Sequence, residues 1–214
     1  PSAVTLSNFT VTENDTGSGW WWNGGATVGT LEVSDVDAGD SVTLSLSGAD
    51  AEVFEILGGM EYVIPPILYL KLKAGITADF ETQSSYNLTL NATDNGGLST
   101  ATEVVINVID VNEAPTDITL SSSTIAENST GGAVVGNLLP IDLDMGDFHS
   151  IEIVGGTGSH LFEINANNQL VLKPGASLDY ETLPNPTVLI QATDSGGLTF
   201  DKAFTIAVSD VDEI

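Results

Sequence analysis

The strongest constraint on this chain is that it is written twice. Ala92-Thr93-Asp94-Asn95-Gly96-Gly97-Leu98 returns as Ala192-Thr193-Asp194-Ser195-Gly196-Gly197-Leu198, an offset of 100 residues. Asp79-Phe80-Glu81-Thr82 returns as Asp179-Tyr180-Glu181-Thr182, and Asp110-Val111 as Asp210-Val211, at the same offset. Asp35-Val36-Asp37-Ala38-Gly39-Asp40 recurs as Asp142-Leu143-Asp144-Met145-Gly146-Asp147, 107 residues on, and Glu13-Asn14 as Glu127-Asn128, 114 on. The offset falls in two steps of 7, which puts two insertions in the first copy, one covering Trp20-Trp21-Trp22. Five acidic landmarks in one order, twice over, define a tandem duplication.

Each copy reads as β-strand. Tyr86, Leu88, Leu90 and Ala92 alternate with polar residues, as do Val104, Ile106 and Val108. Val188, Ile190 and Ala192, then Phe204, Ile206 and Val208, repeat the pattern in the second copy. This period of two is that of half-buried strands, and no segment carries a helical period. The Asp-Asn-Gly-Gly and Asp-Ser-Gly-Gly runs between the paired strands are turn chemistry. About 100 residues of short strands with frequent turns fits a Greek-key sandwich. The predicted fold is all-β, two tandem seven-stranded β-sandwiches of immunoglobulin-like type joined by a short linker. Asp110-Val111-Asn112-Glu113-Ala114-Pro115 closes the first copy, so the domains are set at 1–113 and 114–214.

Charge narrows the partners. Thirty Asp and Glu face four Lys and no Arg, for a formal net charge of −26. Phosphate recognition relies on basic side chains, so nucleic acid and anionic lipid are poor partner candidates, and no nucleic-acid binding is expected. No apolar run approaches the ~20 residues that span a bilayer, so no direct membrane insertion is expected. The chain has no cysteine, which removes disulfides and zinc–thiolate sites.

Carboxylates at this density repel one another unless a cation or salt offsets them. In an extended segment residues i and i+2 project to one side, so Asp79-x-Glu81 and Asp142-x-Asp144 each present two carboxylates together. The hairpin of residues 86–92 and 100–109 carries Asp94 at its turn, while Asp79, Glu81 and Asp110 gather at its open end. Ca²⁺ accepts 6–8 oxygen ligands in flexible geometry, whereas Mg²⁺ demands a tight octahedron and retains water. With no thiol and only two histidines, His149 and His160, softer metals are not favoured. Calcium is the expected cofactor.

Glu13-Asn14, Asp35-x-Asp37, Asp79-x-Glu81, Ala92-x-Asp94 and Asp110-x-Asn112-Glu113-x-Pro115 resemble, in order, the calcium motifs of cadherin repeats. The resemblance covers the whole chain as two repeats. It implies about three calcium ions at the junction, held by Glu13, Asp79, Glu81, Asp110, Asn112 and Glu113 of the first repeat and linker. Asp142, Asp144 and Asp194 of the second repeat complete that set. Asp35, Asp37 and Asp94 form an N-terminal half-site, and Glu127, Asp179, Glu181, Asp210, Asp212 and Glu213 a C-terminal one. A fragment of a longer array is expected, its export signal lying in the secreted parent. Glu113 stands where the usual linker has Asp and the linker is one residue short, which leaves two or three ions open. That linker, the Gly-Asp after each Asp-x-Asp and the scarcity of basic residues resemble bacterial cadherin-like modules. Asp40 and Asp147 are expected to cap turns.

The resemblance implies calcium-dependent adhesion at the cell surface or outside it, with other cadherin-like repeats as partners, homophilic or heterophilic. The alternative is a polysaccharide- or matrix-binding module, for which Trp20, Trp21 and Trp22 offer an aromatic platform. No enzymatic activity is expected: the carboxylates cluster at domain ends, and the whole set is duplicated like a repeated joint. The Asn-x-Ser/Thr matches at Asn8, Asn14, Asn87, Asn91 and Asn128 are those a Ser- and Thr-rich chain yields by chance.

Overall fold

Alternation of apolar and polar side chains decides which face of each strand is buried, and the computed structural model follows it. It describes residues 1–17, 24–36, 41–58 and 67–212, so Trp20, Trp21, Trp22, Asp37, Asp40 and Glu213 lie outside the described residues. The chain forms two compact units, Pro1–Val111 and Asn112–Ile214.

Unit 1 holds β1 (Ala3–Leu6), β2 (Thr10–Thr12), β3 (Thr27–Ser34), β4 (Thr43–Ser47), β5 (Phe54–Gly58), β6 (Leu68–Leu72), β7 (Ser85–Thr93) and β8 (Ser99–Ile109). One sheet runs β1-β3-β6-β5 and the other β2-β8-β7-β4. β2 joins β8 in parallel, and the other pairings are antiparallel. β1 and β2 are one strand that changes sheets, which gives a seven-stranded Greek key. Asn8 holds the crossover: its Nδ2 donates to Val28 O (2.8 Å) and Thr10 O (3.0 Å), while its Oδ1 accepts the Phe9 N–H.

Unit 2 repeats the plan with β9 (Asp117–Leu120), β10 (Thr124–Ala126), β11 (Val134–Ile141), β12 (Ser150–Gly155), β13 (Phe162–Ile164), β14 (Gln169–Leu172), β15 (Thr187–Thr193), β16 (Thr199–Thr205) and β17 (Ala207–Ser209). Its sheets are β13-β14-β11-β9 and β12-β15-β16 with β10-β17. β16 and β17 are one strand broken at Ile206, whose N–H donates to Pro186 O at 2.8 Å. The parallel pair β10–β17 corresponds to β2–β8.

The cores match the alternation. Leu88, Leu90, Ile106, Leu70 and Leu72 are buried in unit 1, and Val188, Ile190, Ile206, Leu170 and Leu172 in unit 2. Phe54 meets Tyr86 edge to face with ring centroids 5.3 Å apart. Phe204 is only partly buried, packing at the border of its core. Each hairpin that carries a site residue turns on a glycine at positive φ, Gly97 (82°) and Gly197 (89°), a conformation that side chains with a Cβ resist.

Burying a large aliphatic side chain contributes about 1.5–3 kcal/mol, and truncating it adds a cavity cost. Ile190→Ala is expected to destabilise unit 2 by about 2–5 kcal/mol. Ile190→Leu is expected to cost under about 1.5 kcal/mol, both read by urea denaturation.

Candidate metal centres

The first kind of centre lies at the open end of the β7–β8 hairpin. Glu13, directly after β2, is buried. Its Oε1 accepts the Val111 N–H at 2.6 Å and its Oε2 the Phe80 N–H at 2.8 Å. Glu13 therefore fastens the segment entering β7 to the one leaving β8. Carboxylate oxygens of Glu13, Glu81 and Asp110 come within 4.8 Å of one another. Asp79 accepts the Thr82 N–H at 2.8 Å, closing the turn that presents Glu81.

Unit 2 repeats this geometry. Glu127 is buried and accepts the N–H groups of Val211 (2.6 Å) and Tyr180 (2.9 Å). Its carboxylate oxygen lies within 4.8 Å of those of Asp179 and Glu181. Here the third carboxylate is Asp179 rather than the residue after the last strand; Asp210 and Asp212 are exposed beyond β17. The Thr182 hydroxyl, and then its N–H, hold the Asp179 carboxyl below the usual carboxylate range.

The second kind of centre lies at the hairpin turns. Asp94 Oδ1 accepts the Leu98 N–H at 2.9 Å, and Asp194 Oδ1 the Leu198 N–H at 2.8 Å. In unit 1, Asp35 and Asp94 converge on the Pro1 amino group, at 3.2 and 3.5 Å. In unit 2 the linker residues are tied in. Asn112 Nδ2 donates to Asp194 Oδ2 (2.9 Å), and the Glu113 N–H to Asp144 Oδ2 (2.8 Å). Asn112 and Glu113, read from the sequence as the end of the first repeat, thus pack with the second. Gly196 makes room for this, since a Cβ there would sit 2.6 Å from Asn112 Oδ1.

Asp142, Asp144 and Asp147 also bring carboxylate oxygens within 4.8 Å of one another. Asp147 does not merely cap a turn: its Oδ1 accepts the Ser195 hydroxyl at 2.7 Å, and its Oδ2 is buried with no hydrogen-bond partner. His149 Nε2 contacts Asp142 Oδ2 at 2.6 Å, with both side chains largely covered. The Gly-Asp following each Asp-x-Asp was the only sequence signal for Asp147, and nothing in the sequence pointed to His149.

Like charges about 4 Å apart repel by about 1 kcal/mol in bulk water and about 4 kcal/mol at an effective permittivity of ~20. The carboxylates of each group repel one another in pairs, least where solvent screens them, as at the exposed Glu81, Asp110, Asp179 and Glu181. All the donors in the three groups are oxygens, the set a hard divalent cation takes. The orphaned Asp147 oxygen is a further acceptor that meets no donor among the described residues. These residues fit calcium.

No family model matches the chain. Among known proteins, cadherin-related family member 2 of Homo sapiens is 29% identical over 206 residues, covering 87% of this chain and 15% of that protein. Protocadherin gamma-B6 of Homo sapiens is 33% identical over 148 residues, 66% of this chain and 16% of its own length. The solved structure of human protocadherin-24 EC1-2 superimposes with a TM-score of 0.69 over 98% of each chain, at 24% identity. Two all-β sandwiches with acidic clusters in matched connections, and these likenesses, define tandem cadherin-like repeats. This chain consists of two, and it spans only 15 to 19% of the length of such relatives. Those relatives come from Homo sapiens, Mus musculus and Pan troglodytes, and they lend the bacterial type read from the linker no support. Among the described residues, no helix is long and apolar enough to cross a membrane.

Two outcomes are expected. Glu13→Ala leaves two backbone donors without an acceptor and is expected to destabilise unit 1 by about 1–3 kcal/mol per donor even in chelator. Chemical denaturation without calcium checks this. Burial pushes the Asp194 carboxyl up, but the Asn112 amide and the N–H groups of Leu198, Gly197 and Gly196 outweigh it and hold it below its ordinary value. Such a group stabilises the fold above its unfolded pKa of ~3.9, and that stabilisation is lost as pH falls through the lower folded value. Asp194→Asn is expected to flatten the fall of Tm below about pH 4.

Proposed function

We propose that this chain is a calcium-stiffened adhesion module of a larger extracellular protein. The observation that carries the reading is the duplicated, buried glutamate, fastened by two backbone N–H groups and bordered by two more carboxylates. A glutamate fastened the same way in both units supports reading the site as a repeated joint.

Calcium would be held by Glu13, Asp79, Glu81 and Asp110, with Asn112, Glu113, Asp142, Asp144 and Asp194 across the linker. Covalent connectivity supports this grouping. Asp110 and Asn112 are separated by one residue, so their Cα atoms are at most about 7 Å apart. When bound, calcium supplies charge neutralisation and a cross-link between the repeats, 1–113 and 114–214. The protein's own residues do the rest: Glu13 and Asp194 hold their oxygens in place through backbone donors, and Asn112 ties the linker down. A stiff linker fixes how neighbouring repeats present their surfaces to a second molecule, and self-association between like repeats is the adhesive contact proposed. Extracellular calcium modules bind at ~10⁻⁴–10⁻³ M, a range that responds to calcium outside cells rather than in the cytosol.

Calorimetric titration with calcium tests the reading. The expected result is two or three ions with Kd near ~10⁻⁴–10⁻³ M. Saturation should raise stability by about 2.7 kcal/mol per site at a hundredfold excess over Kd. No binding heat and an unchanged Tm would overturn it. Bead aggregation that needs calcium is expected beside it, and capture of soluble polysaccharide by beads that do not aggregate would favour the glycan reading instead.

A further inference from the structure

An edge strand leaves alternate N–H and C=O groups pointing away from its sheet, so it can accept another strand unless something blocks it. Among the described residues, two such edges lie open on one side of each unit: β4 and β5 in unit 1, β12 and β13 in unit 2. Three of them are blocked. β5 carries Glu55, β13 is three residues long and carries Glu163, and β12 carries Glu152 together with a register break between Ile153 and Gly155. The edges on the other side are short, three or four residues in β1, β2, β9 and β10.

β4 has none of these protections. It is Thr43-Leu44-Ser45-Leu46-Ser47, five residues with no charge. It pairs with β7 without a break from Thr43↔Thr93 to Ser47↔Thr89, and among the described residues nothing pairs with its other side. The outer face beside it is neutral as well. Thr43, Ser45 and Ser47 stand in rows with Thr93, Asn91 and Thr89, then with Ser99, Ala101 and Glu103, one carboxylate in the whole array. In a chain of net charge −26, this described face sets a single carboxylate against a second copy.

We infer that β4 pairs antiparallel with β4 of a second copy, about a twofold axis at Ser45. The sequence of the strand selects this occupant. Read antiparallel about Ser45, it is nearly its own complement: Leu44 faces Leu46, and Thr43 faces Ser47, as an isologous contact requires. Leu44 and Leu46 pack against the core from the inner face, so pairing continues the apolar layer from one copy to the next. The strand then turns away at Gly48 (φ 106°), and the nearby Asp50 carboxylate is engaged by the Asn87 N–H (2.6 Å) and by Gln83 Nε2 (3.0 Å). A five-residue contact falls short of the ~800 Å² per partner of a stable interface, so the pairing is weak and gains strength from multiplicity. It deepens the self-adhesion reading above by naming the surface, but it uses no metal.

The absence of cysteine makes a single introduced thiol an unambiguous reporter. Directly opposed residues of an antiparallel pair have Cβ atoms ~4.5–5.5 Å apart, close enough for cross-linking. Ser45→Cys is compared with Glu152→Cys, the equivalent edge of unit 2, under mild oxidation in chelator at ~0.5 M salt, where surface repulsion is screened. Ser45→Cys is expected to form disulfide-linked dimer at least about tenfold faster, in line with a weak specific contact against random collision. At ~0.1 M salt, where facing charges are not screened out, Thr43→Lys with Ser47→Glu added to Ser45→Cys should raise the yield, and Thr43→Lys with Ser47→Lys should suppress it, because residue 43 faces residue 47. Equal rates for Ser45→Cys and Glu152→Cys, or equal yields from the two charge variants, would overturn the pairing. All these positions are exposed, and circular dichroism verifies the fold. The cross-linking is done without calcium and the calorimetry without thiols, so failure of either leaves the other reading standing.

Discussion

Two backbone N–H groups closing on one buried carboxylate hold the end of each sandwich. Taking a charge out of water is costly unless hydrogen bonds replace its hydration, and charge-assisted bonds to backbone amides are among the stronger ones available. Glu13 meets that condition through Val111 and Phe80, and Glu127 through Val211 and Tyr180. The same bonds join the chain entering one strand to the chain leaving the next. Folding therefore places the neighbouring carboxylates at close range whether or not a cation is present. The ordering cost of the site is met when the sandwich forms, and a divalent ion that arrives later finds ligands already in position.

How far the sequence discloses this depends on how local the physics is. Tyr86, Leu88, Leu90 and Ala92 are buried on one face because alternation is a property of the strand itself. The Asp-x-Glu and Asp-x-Asp pairs were legible for the same reason, two carboxylates on one side of an extended segment. Contacts made across the fold were not. Asp147 meets Ser195 48 residues away, and Asn112 meets Asp194 82 residues away. The sheet change between β1 and β2 rests on Asn8, whose turn-type bonds read from sequence only as a sequon. Lys71 shows the limit of polarity as a guide. It occupies the register of Val171, and it is buried as Val171 is, with Nζ donating to Gly24 O at 3.1 Å.

The two copies differ most where nothing about the joint constrains them. Landmark carboxylates are retained in both, and the fastening glutamates agree to within a tenth of an ångström or so (2.6 and 2.8 Å against 2.6 and 2.9 Å). The edge strands have diverged instead, neutral and regular in β4, charged and broken in β12.

This divergence follows from where the charge sits. Carboxylates borne on described strands are few: Glu32, Glu55 and Glu103 in unit 1, Asp117, Glu152, Glu163 and Asp201 in unit 2. Among the described residues the others lie in turns and connections at the sandwich ends. Repulsion confined to the ends responds to a divalent cation that fits there, because three oxygens at close range discriminate by coordination and not by charge alone. The flanks carry isolated charges, which any salt screens within about 10 Å at 0.1 M. A chain this acidic thus meets two kinds of cation differently: clustered carboxylates offer a coordination set, and isolated ones offer only a charge to screen.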